Sequence, residues 1–242
     1  MFGKFSDLPL RMIACDYDGT VAVEGVMSSV VEPAFAAARS AGFLIGLVTG
    51  REFDDLRSVC KQLGLFDLVV AENGAVMHFP GTNIVVDLAL RPSSEFLAEL
   101  TLKGISFSVG RVIVGTRSDE EARVREIIRD MNLQLEVILN RDSAMILPAG
   151  VNKATGLAEG VRKTGIEISQ VIAIGDAEND ISFMEACGYS VAVANAIESV
   201  KAIADTVTDE PNGEGIARFI RHRLLGSAVE AVPVSPGTGI VC

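Results

Sequence analysis

The chain has 242 residues, of which 49% are apolar and 22% are charged, as a globular protein with a sizeable core requires. This length fits one large domain, or a core domain with a smaller insert. The formal net charge of -11 argues against nucleic acid and anionic lipid as partners, because an acidic surface repels both.

Short apolar runs alternate with helical patterns at the start of the chain and again near its end. Strands that alternate with helices predict an α/β fold, with a doubly wound parallel sheet and helices on both faces. The predicted elements are, in chain order, strand 12–15, helix 30–42, strand 43–49, helix 52–63 and strand 68–71, followed much later by strand 171–176, a helix through Cys187 and strand 189–194.

The middle of the chain, residues 80–149, has a different pattern. Several strands here are joined by short turns that contain Gly or Asn, which predicts a small α+β insert with an antiparallel sheet. The predicted elements of the insert are strands 84–87, 105–110 and 111–115, helix 118–131, and strands 133–139 and 143–148. We therefore expect a core domain of residues 1–79 and 150–226, an insert of residues 80–149 and a mobile, Pro- and Gly-rich tail of residues 227–242.

The four cysteines are scattered and show no metal-ligand spacing: Cys15, Cys60, Cys187 and Cys242. This usage favours a reducing, cytoplasmic setting. The segment 1–11 has no long apolar run and is not typical of a signal peptide. We also expect no membrane span, because no apolar stretch approaches the roughly twenty residues that one needs.

Two carboxylates stand one residue apart directly after the first predicted strand, in the run Asp16-Tyr17-Asp18-Gly19-Thr20. In a parallel sheet, ligands bind at the carboxyl ends of the strands. Two carboxylates this close are costly unless a cation or a proton lies between them, and oxygen ligands suit Mg²⁺. One interpretation is a nucleophile and a proton donor with Mg²⁺ held against both. The other is an acidic turn after a strand.

A second acidic cluster follows strand 171–176. The run GDAEND at 175–180 places Asp176 and Asp180 four positions apart, so both can face one side of a helix start. Helix capping by an Asp is the alternative, but it explains only one acid of the cluster.

Two further segments could bind an anion. Thr49-Gly50-Arg51 ends the second strand, where a hydroxyl and free backbone N–H groups at a helix start suit a phosphate. Lys153 lies just inside a later helix and could neutralise a phosphate. Taken alone, a plain helix cap and a surface lysine are the simpler interpretations. Together with the acidic clusters, the segments predict an anion site that contains a divalent cation.

These segments resemble the four motifs of the haloacid dehalogenase superfamily of phosphohydrolases, namely DYDGT (16–20), TGR (49–51), NK (152–153) and GDAEND (175–180). The resemblance covers residues 10–79 and 150–224. The insert, between the second and third motifs, is similar to the type II cap of Cof-like, phosphoglycolate-phosphatase-like and sucrose-phosphatase-like members. The segment ENGA (72–75) is also similar to one found with that cap class.

The resemblance implies a Mg²⁺-dependent phosphatase. Asp16 would attack phosphorus and form an aspartyl-phosphate, and Asp18 would protonate the leaving oxygen and then deprotonate the hydrolytic water. The metal would be held by the carboxylates of Asp16 and Asp176 and the backbone carbonyl of Asp18, with support from Asp180. The residues implied in phosphate or substrate binding are Thr49, Gly50, Lys153 and Asn179.

The implied substrate is a small phosphorylated metabolite, either a sugar phosphate or a phosphoglycolate-like acid. The cap would close over the site and read the leaving group, and its candidate polar contacts are Arg91, Arg111, Arg117 and Arg141. A phosphomutase of the same superfamily is an alternative, because eukaryotic-type phosphomannomutases also have a type II cap. A phospho-accepting signalling domain is a further alternative, although such domains lack the second Asp and the large cap. The oligomeric state is open between a monomer and a homodimer.

Overall fold

A computed structural model describes residues 9–226, so the expected tail of residues 227–242 lies outside the described part of the chain. The strands are β1 (Met12–Cys15), β2 (Ala22–Val23), β3 (Val26–Met27), β4 (Leu44–Val48), β5 (Leu68–Ala71), β6 (Val76–Phe79), β7 (Ile84–Asp87), β8 (Ser108–Val109), β9 (Val114–Arg117), β10 (Leu135–Asn140), β11 (Ser143–Pro148), β12 (Val171–Gly175), β13 (Tyr189–Ala192) and β14 (Thr206–Val207). The helices are α1 (Val31–Ser40), α2 (Phe53–Val59), α3 (Ser94–Leu102), α4 (Glu121–Asp130), α5 (Lys153–Thr164), α6 (Ile181–Ala186), α7 (Glu198–Ile203) and α8 (Asn212–Arg218).

The large sheet has the strand order β14-β13-β12-β1-β4-β5-β6-β7. The pairs from β14 to β5 are parallel, and β6 and β7 extend the sheet as antiparallel strands. All four residues of β1 are buried, as an apolar strand at the centre of a covered sheet should be. The chain moves outward from β1 through β4 and β5, and later moves the other way from β12 through β13 and β14. A topological switch point therefore lies between β1 and β12.

Helices cover the large sheet in two layers, α1 with α8 and α5 with α6. Helix α1 buries Val31, Ala34, Phe35 and Ala38, a spacing that places apolar side chains on one helix face. Right-handed crossovers that run in opposite directions from the switch point put helices on opposite faces of a sheet. The predicted α/β fold with a parallel-dominated sheet is confirmed. Within residues 9–226, every helix is too short or too polar to serve as a membrane span.

The middle of the chain forms a second, smaller sheet with the order β10-β11-β9-β8, antiparallel throughout. Helices α3 and α4 pack against each other, and α4 packs on β10. They enclose a separate apolar cluster with one face of the sheet, formed by Phe96, Leu100, Ile105, Val114, Val124, Ile127, Ile128, Val137, Ala144 and Ile146. We call this unit the cap.

One strand assigned to the insert belongs elsewhere. The predicted strand 84–87 is β7, and it pairs with β6 at the edge of the large sheet, with Val76 opposite Asp87 and Phe79 opposite Ile84. The tight connection between β6 and β7 makes them a hairpin, so β7 follows β6 into the core sheet. The boundaries at residues 79 and 150 otherwise stay a prediction.

Candidate active site

Three of the predicted site residues directly follow neighbouring parallel strands. Asp16 comes after β1, Thr49 after β4 and Asp176 after β12. Since β1 lies between β4 and β12, the carboxyl ends of these strands meet at the switch point. Hydrogen bonds from Asp16 N to Ile174 O (2.9 Å) and from Thr49 N to Val70 O (2.8 Å) continue the strand pairing into the site.

Three buried carboxylates converge there. Asp16, Asp176 and Asp180 each offer an oxygen that lies within 4.8 Å of the other two. The Lys153 ammonium stands between two of them, with Nζ at 2.5 Å from both Asp16 Oδ1 and Asp180 Oδ1. Lys153 is only 1% exposed and begins helix α5, where Asn152 caps the helix through the amide of Thr155. The hydrogen bond from the Thr155 amide to Asn152 fixes the start of α5 and therefore places the Lys153 side chain in the cluster.

Further hydrogen-bond donors hold the second oxygen of Asp180 and both oxygens of Asp176. Asp180 Oδ2 accepts the N–H groups of Asp176 (2.8 Å) and Ala177 (3.0 Å), which closes the loop after β12. The Thr20 hydroxyl donates to Asp176 Oδ1 at 2.7 Å. The other oxygen of that carboxylate, Asp176 Oδ2, contacts the guanidinium of Arg141 from the cap.

The donor set fits a hard divalent cation. Burial, and next the charge of Asp180, raise the pKa of Asp16, although the Lys153 ammonium acts against them. Burial would lower the pKa of Lys153, but the carboxylates of Asp16 and Asp180 outweigh it and raise that pKa, so the ammonium stays charged. Three clustered carboxylates carry more negative charge than one lysine neutralises. Their oxygens are the ligands that Mg²⁺ prefers. Asp16, Asp176 and Asp180 are the side chains that could hold such an ion.

The Asp18 carboxylate points away from this cluster. It forms a bidentate ion pair with Arg51, with Nε at 2.5 Å from Oδ2 and Nη2 at 2.7 Å from Oδ1. Arg51 also donates to Asp55 Oδ2 at 2.6 Å. The expected metal contact of Asp18 concerned its backbone carbonyl, and that contact stays a prediction.

The remaining predicted residues lie beside the cluster. Thr49 is 1% exposed, and its hydroxyl oxygen accepts the N–H of Arg51 at 3.2 Å. A side chain at Gly50 would come within 3.0 Å of Met145 Sδ and 3.3 Å of Asn179 Nδ2, so the cap and the GDAEND loop approach the backbone closely there. Asn179 is buried and donates from Nδ2 to Asn73 Oδ1 at 3.1 Å.

A cleft of about 750 Å³ separates these residues from the cap. Asp16, Asp18, Thr49 and Gly50 line its floor. Residues of the cap strands line its roof. Successive side chains of a strand point to opposite faces, so other residues of these strands face away from the cleft. On β9 and β11 the apolar Val114, Ala144 and Ile146 face the cap's own core. The residues between or beside them face the cleft, together with neighbours from the segment before β9: Ser106, Ser108, Gly115, Arg117, Ser143 and Met145.

The four arginines proposed as cap contacts separate into two groups. Arg117 lines the cleft, and Arg141 reaches Asp176. Arg111 instead pairs with Asp87, and Arg91 donates to the backbone carbonyls of Gly110 and Arg111. Arg111 therefore fastens the cap turn to β7, and Arg91 fastens it to the segment after β7. Neither residue is among those that line the cleft.

Three side chains gain roles that the sequence did not predict. Thr20 orients Asp176, and Arg51 holds Asp18. Glu72 is fully buried and accepts four backbone N–H groups, one from α2 and three from the cap turn between β8 and β9. Thr20 and Arg51 stand in the DYDGT and TGR motifs, and Glu72 in ENGA, but the motifs do not show which group each side chain contacts.

A family model described as haloacid dehalogenase-like hydrolase matches residues 13–109 and 105–220. The chain therefore belongs to the haloacid dehalogenase-like hydrolase family, as its motifs predicted.

Curated relatives match almost the whole chain. The phosphoglycolate phosphatase of Methanothermobacter thermautotrophicus is 36% identical over 226 residues, which cover 90% of this chain and 100% of the relative. Phosphoglycolate phosphatase 2 of Saccharolobus solfataricus is 32% identical, over 92% of this chain and 96% of the relative. The chain is thus a phosphatase of this family.

A solved structure supports the fold. The Thermoplasma acidophilum protein 0175 superposes with a TM-score of 0.76 at 21% identity, covering 89% of this chain and 99% of that one. A sugar phosphatase of haloacid dehalogenase subclass IIB superposes with a TM-score of 0.71 at 23% identity, over 88% and 98% of the two chains.

Proposed function

We propose that this phosphatase is a Mg²⁺-dependent phosphomonoester hydrolase that works through an aspartyl-phosphate on Asp16. The observation that carries the proposal is the setting of Asp16. Its Oδ1 is held by Lys153 at 2.5 Å, and the residue lines the cleft. Among the described residues no hydrogen bond engages Asp16 Oδ2, so that oxygen is available for attack on phosphorus.

In the proposed first step, Asp16 Oδ2 forms a bond to phosphorus while the bond from phosphorus to the leaving oxygen breaks. Asp18, which lines the same cleft, gives its proton to the leaving oxygen. In the second step water attacks phosphorus, Asp18 takes the water proton, and the bond to Asp16 breaks. Before the first step Asp18 must leave its ion pair with Arg51 and take up a proton from water, to which its side chain is 42% exposed.

The phosphoryl group would be bound by Lys153, the Thr49 hydroxyl, the Gly50 backbone and Asn179. A bound Mg²⁺ would offset the clustered negative charge and stabilise the phosphate oxygens. Thr49 and Gly50 line the cleft floor, and Lys153 already contacts Asp16 there.

We propose a small phosphorylated acid, with phosphoglycolate as the first candidate, as the substrate. The curated relatives named above carry that activity in their names. The Arg141 guanidinium, which reaches Asp176 from the cap beside this cleft, also favours a negatively charged leaving group.

The variant Asp16→Asn tests the nucleophile. Hydrolysis of p-nitrophenyl phosphate in Mg²⁺ should fall at least about a thousandfold, because an amide cannot form the acyl phosphate. The matched control is Asp54→Asn, which removes a carboxylate that is 82% exposed and should keep wild-type turnover. Full activity in the Asp16→Asn variant would overturn the assignment.

A panel of phosphoglycolate, phosphoglycerates, sugar phosphates and nucleotides tests the substrate class. The highest kcat/KM should belong to phosphoglycolate. A preference for sugar phosphates would reject the proposed acid substrate and leave the hydrolase mechanism in place.

A further inference from the structure

Arg141 is a cap residue that touches the predicted metal site. It lies in the turn between β10 and β11, with a positive φ of 52°, and both Asn140 before it and Ser143 after it line the cleft. Its Nη2 donates to Asp176 Oδ2, while its side chain is 55% exposed. The contact is therefore made by a long side chain at the rim of the cleft, with little packing to hold it there.

Arg141 contacts an oxygen that could bind a metal ion. Asp176 Oδ1 accepts the Thr20 hydroxyl, so Oδ2 is the oxygen that only Arg141 engages among the described residues. A guanidinium and a divalent cation on one buried oxygen repel each other strongly, because the surroundings screen charge poorly. The two cations should therefore compete for Asp176 Oδ2.

The other cations of the cleft are either paired outside the cluster of three carboxylates or buried within it. Arg51 is held by Asp18 and Asp55, and Arg117 is paired with Asp119 outside the cluster. Lys153 lies between Asp16 and Asp180 and is buried. Among the described residues, Arg141 is therefore the exposed cation that contacts this cluster from the cap, where a metal ion could displace it.

We propose that Arg141 is the cap residue that binds the negatively charged part of the leaving group, and that it rests on Asp176 until a divalent cation takes that oxygen. The proposal rests on the proposed function, because it assumes a phosphate ester with an anionic leaving group. Metal loading then does two things at once: it completes the phosphate site and frees one guanidinium at the cap side of the cleft. Recognition of the substrate thereby depends on a loaded metal site.

The first test measures metal binding without turnover. Titration calorimetry of Mg²⁺ into the substrate-free protein should show several-fold tighter binding for Arg141→Gln than for wild type, because the competing cation is gone. The control is Arg117→Gln, which removes the same charge from the cleft but leaves Asp176 untouched, and its Mg²⁺ affinity should stay within about twofold of wild type. Unchanged or weaker Mg²⁺ binding in Arg141→Gln, or equal tightening in both variants, would show that Arg141 does not compete with the metal ion for Asp176.

The second test compares two substrates that differ in the charge of the leaving group. The ratio of kcat/KM for phosphoglycolate to that for ethyl phosphate should fall about ten- to hundredfold in Arg141→Gln, the usual effect of losing one charge-assisted hydrogen bond. Arg117→Gln should keep the wild-type ratio. An unchanged ratio in Arg141→Gln, or a loss in Arg117→Gln instead, would reject Arg141 as the recognition residue.

The two proposals fail in different ways. If wild-type protein in Mg²⁺ hydrolyses neither these esters nor p-nitrophenyl phosphate, the proposed hydrolase function is wrong. If it hydrolyses both esters equally well, the hydrolase function stands and recognition by Arg141 is rejected. Thermal melting of each variant close to that of wild type establishes that the comparison concerns folded protein.

Discussion

Thr20 is fully buried, and its hydroxyl fixes one oxygen of Asp176. Side chains that orient a metal ligand in this way commonly change metal affinity by about 10- to 100-fold when they are removed. We expect Thr20→Val, which keeps the shape and loses the hydroxyl, to weaken Mg²⁺ binding by about that factor in calorimetry. Thr20→Ser keeps the donor and should bind Mg²⁺ nearly as wild type does. Wild-type affinity in Thr20→Val would show that Asp176 needs no such support.

The sequence predicted the acidic residues better than their partners. Asp16 and Asp176 follow apolar runs, and the ends of neighbouring parallel strands must meet, so their proximity could be inferred from pattern alone. The hydrogen bond from Thr20 to Asp176 joins residues 156 positions apart. No periodicity reports such a contact, because it depends on the rotamers of two side chains in the folded molecule.

At the scale of elements, Glu72 joins the core to the cap. Its Oε1 accepts the N–H groups of Phe53 (3.1 Å) and Arg111 (2.8 Å), and its Oε2 accepts those of Val112 (2.7 Å) and Ile113 (2.9 Å). A side chain at Gly110 would lie 2.6 Å from Oε1, so glycine is needed for the cap turn to approach this carboxylate. The first residue of α2 and the turn between β8 and β9 are thus fastened to one buried carboxylate.

Replacing Glu72 by Gln should loosen this attachment, because the amide would present N–H groups to backbone donors. Two unsatisfied buried donors correspond to a loss of about 2–4 kcal/mol in the free energy of unfolding. Hydrogen exchange should show faster exchange at residues 111–113 and at Phe53, while urea unfolding should show the loss of stability. The control is Glu185→Gln, which changes an exposed side chain and should match wild type in both measurements. Unaltered exchange at 111–113 would contradict this role for Glu72.

Strand β7 shows where pattern at this scale misled. The run 84–87 has the composition of a strand, but a strand looks the same in sequence whichever sheet it joins. The sheet to which a strand belongs is decided by its pairing. Here the short connection after β6 returns β7 along β6. Within the cap, β9 pairs with β11. Arg117 lies opposite Ser143 at one end of this pair, and Val114 lies opposite Ile146 at the other. The Glu72 attachment and the Arg141 turn therefore lie at opposite ends of the cap sheet.

On the scale of the whole molecule, the candidate site joins the two halves of a divided core. Strands β1 and β4 come from the first part of the chain and β12 from the last, and the cap lies between them in sequence. The predicted metal ligands Asp16 and Asp176 stand on opposite sides of that division. A protein with a net charge of -11 thus places three of its carboxylates, all buried, where its halves meet, and a bound cation would relieve their mutual repulsion.

Mg²⁺ should for this reason stabilise the whole fold. A ligand present at 100 times its Kd adds about 2.7 kcal/mol to the free energy of unfolding, so the melting temperature of wild type should rise with Mg²⁺. Asp176→Asn removes one charge from the cluster while its remaining oxygen can still accept the Thr20 hydroxyl. This variant should melt at or above the wild-type temperature in EDTA, because repulsion with Asp16 and Asp180 is reduced, and should lose most of the rise on addition of Mg²⁺. A Mg²⁺-dependent rise as large in Asp176→Asn as in wild type would place the cation elsewhere, whereas a lower melting temperature in EDTA would show that the Arg141 contact outweighs the repulsion among the three acids.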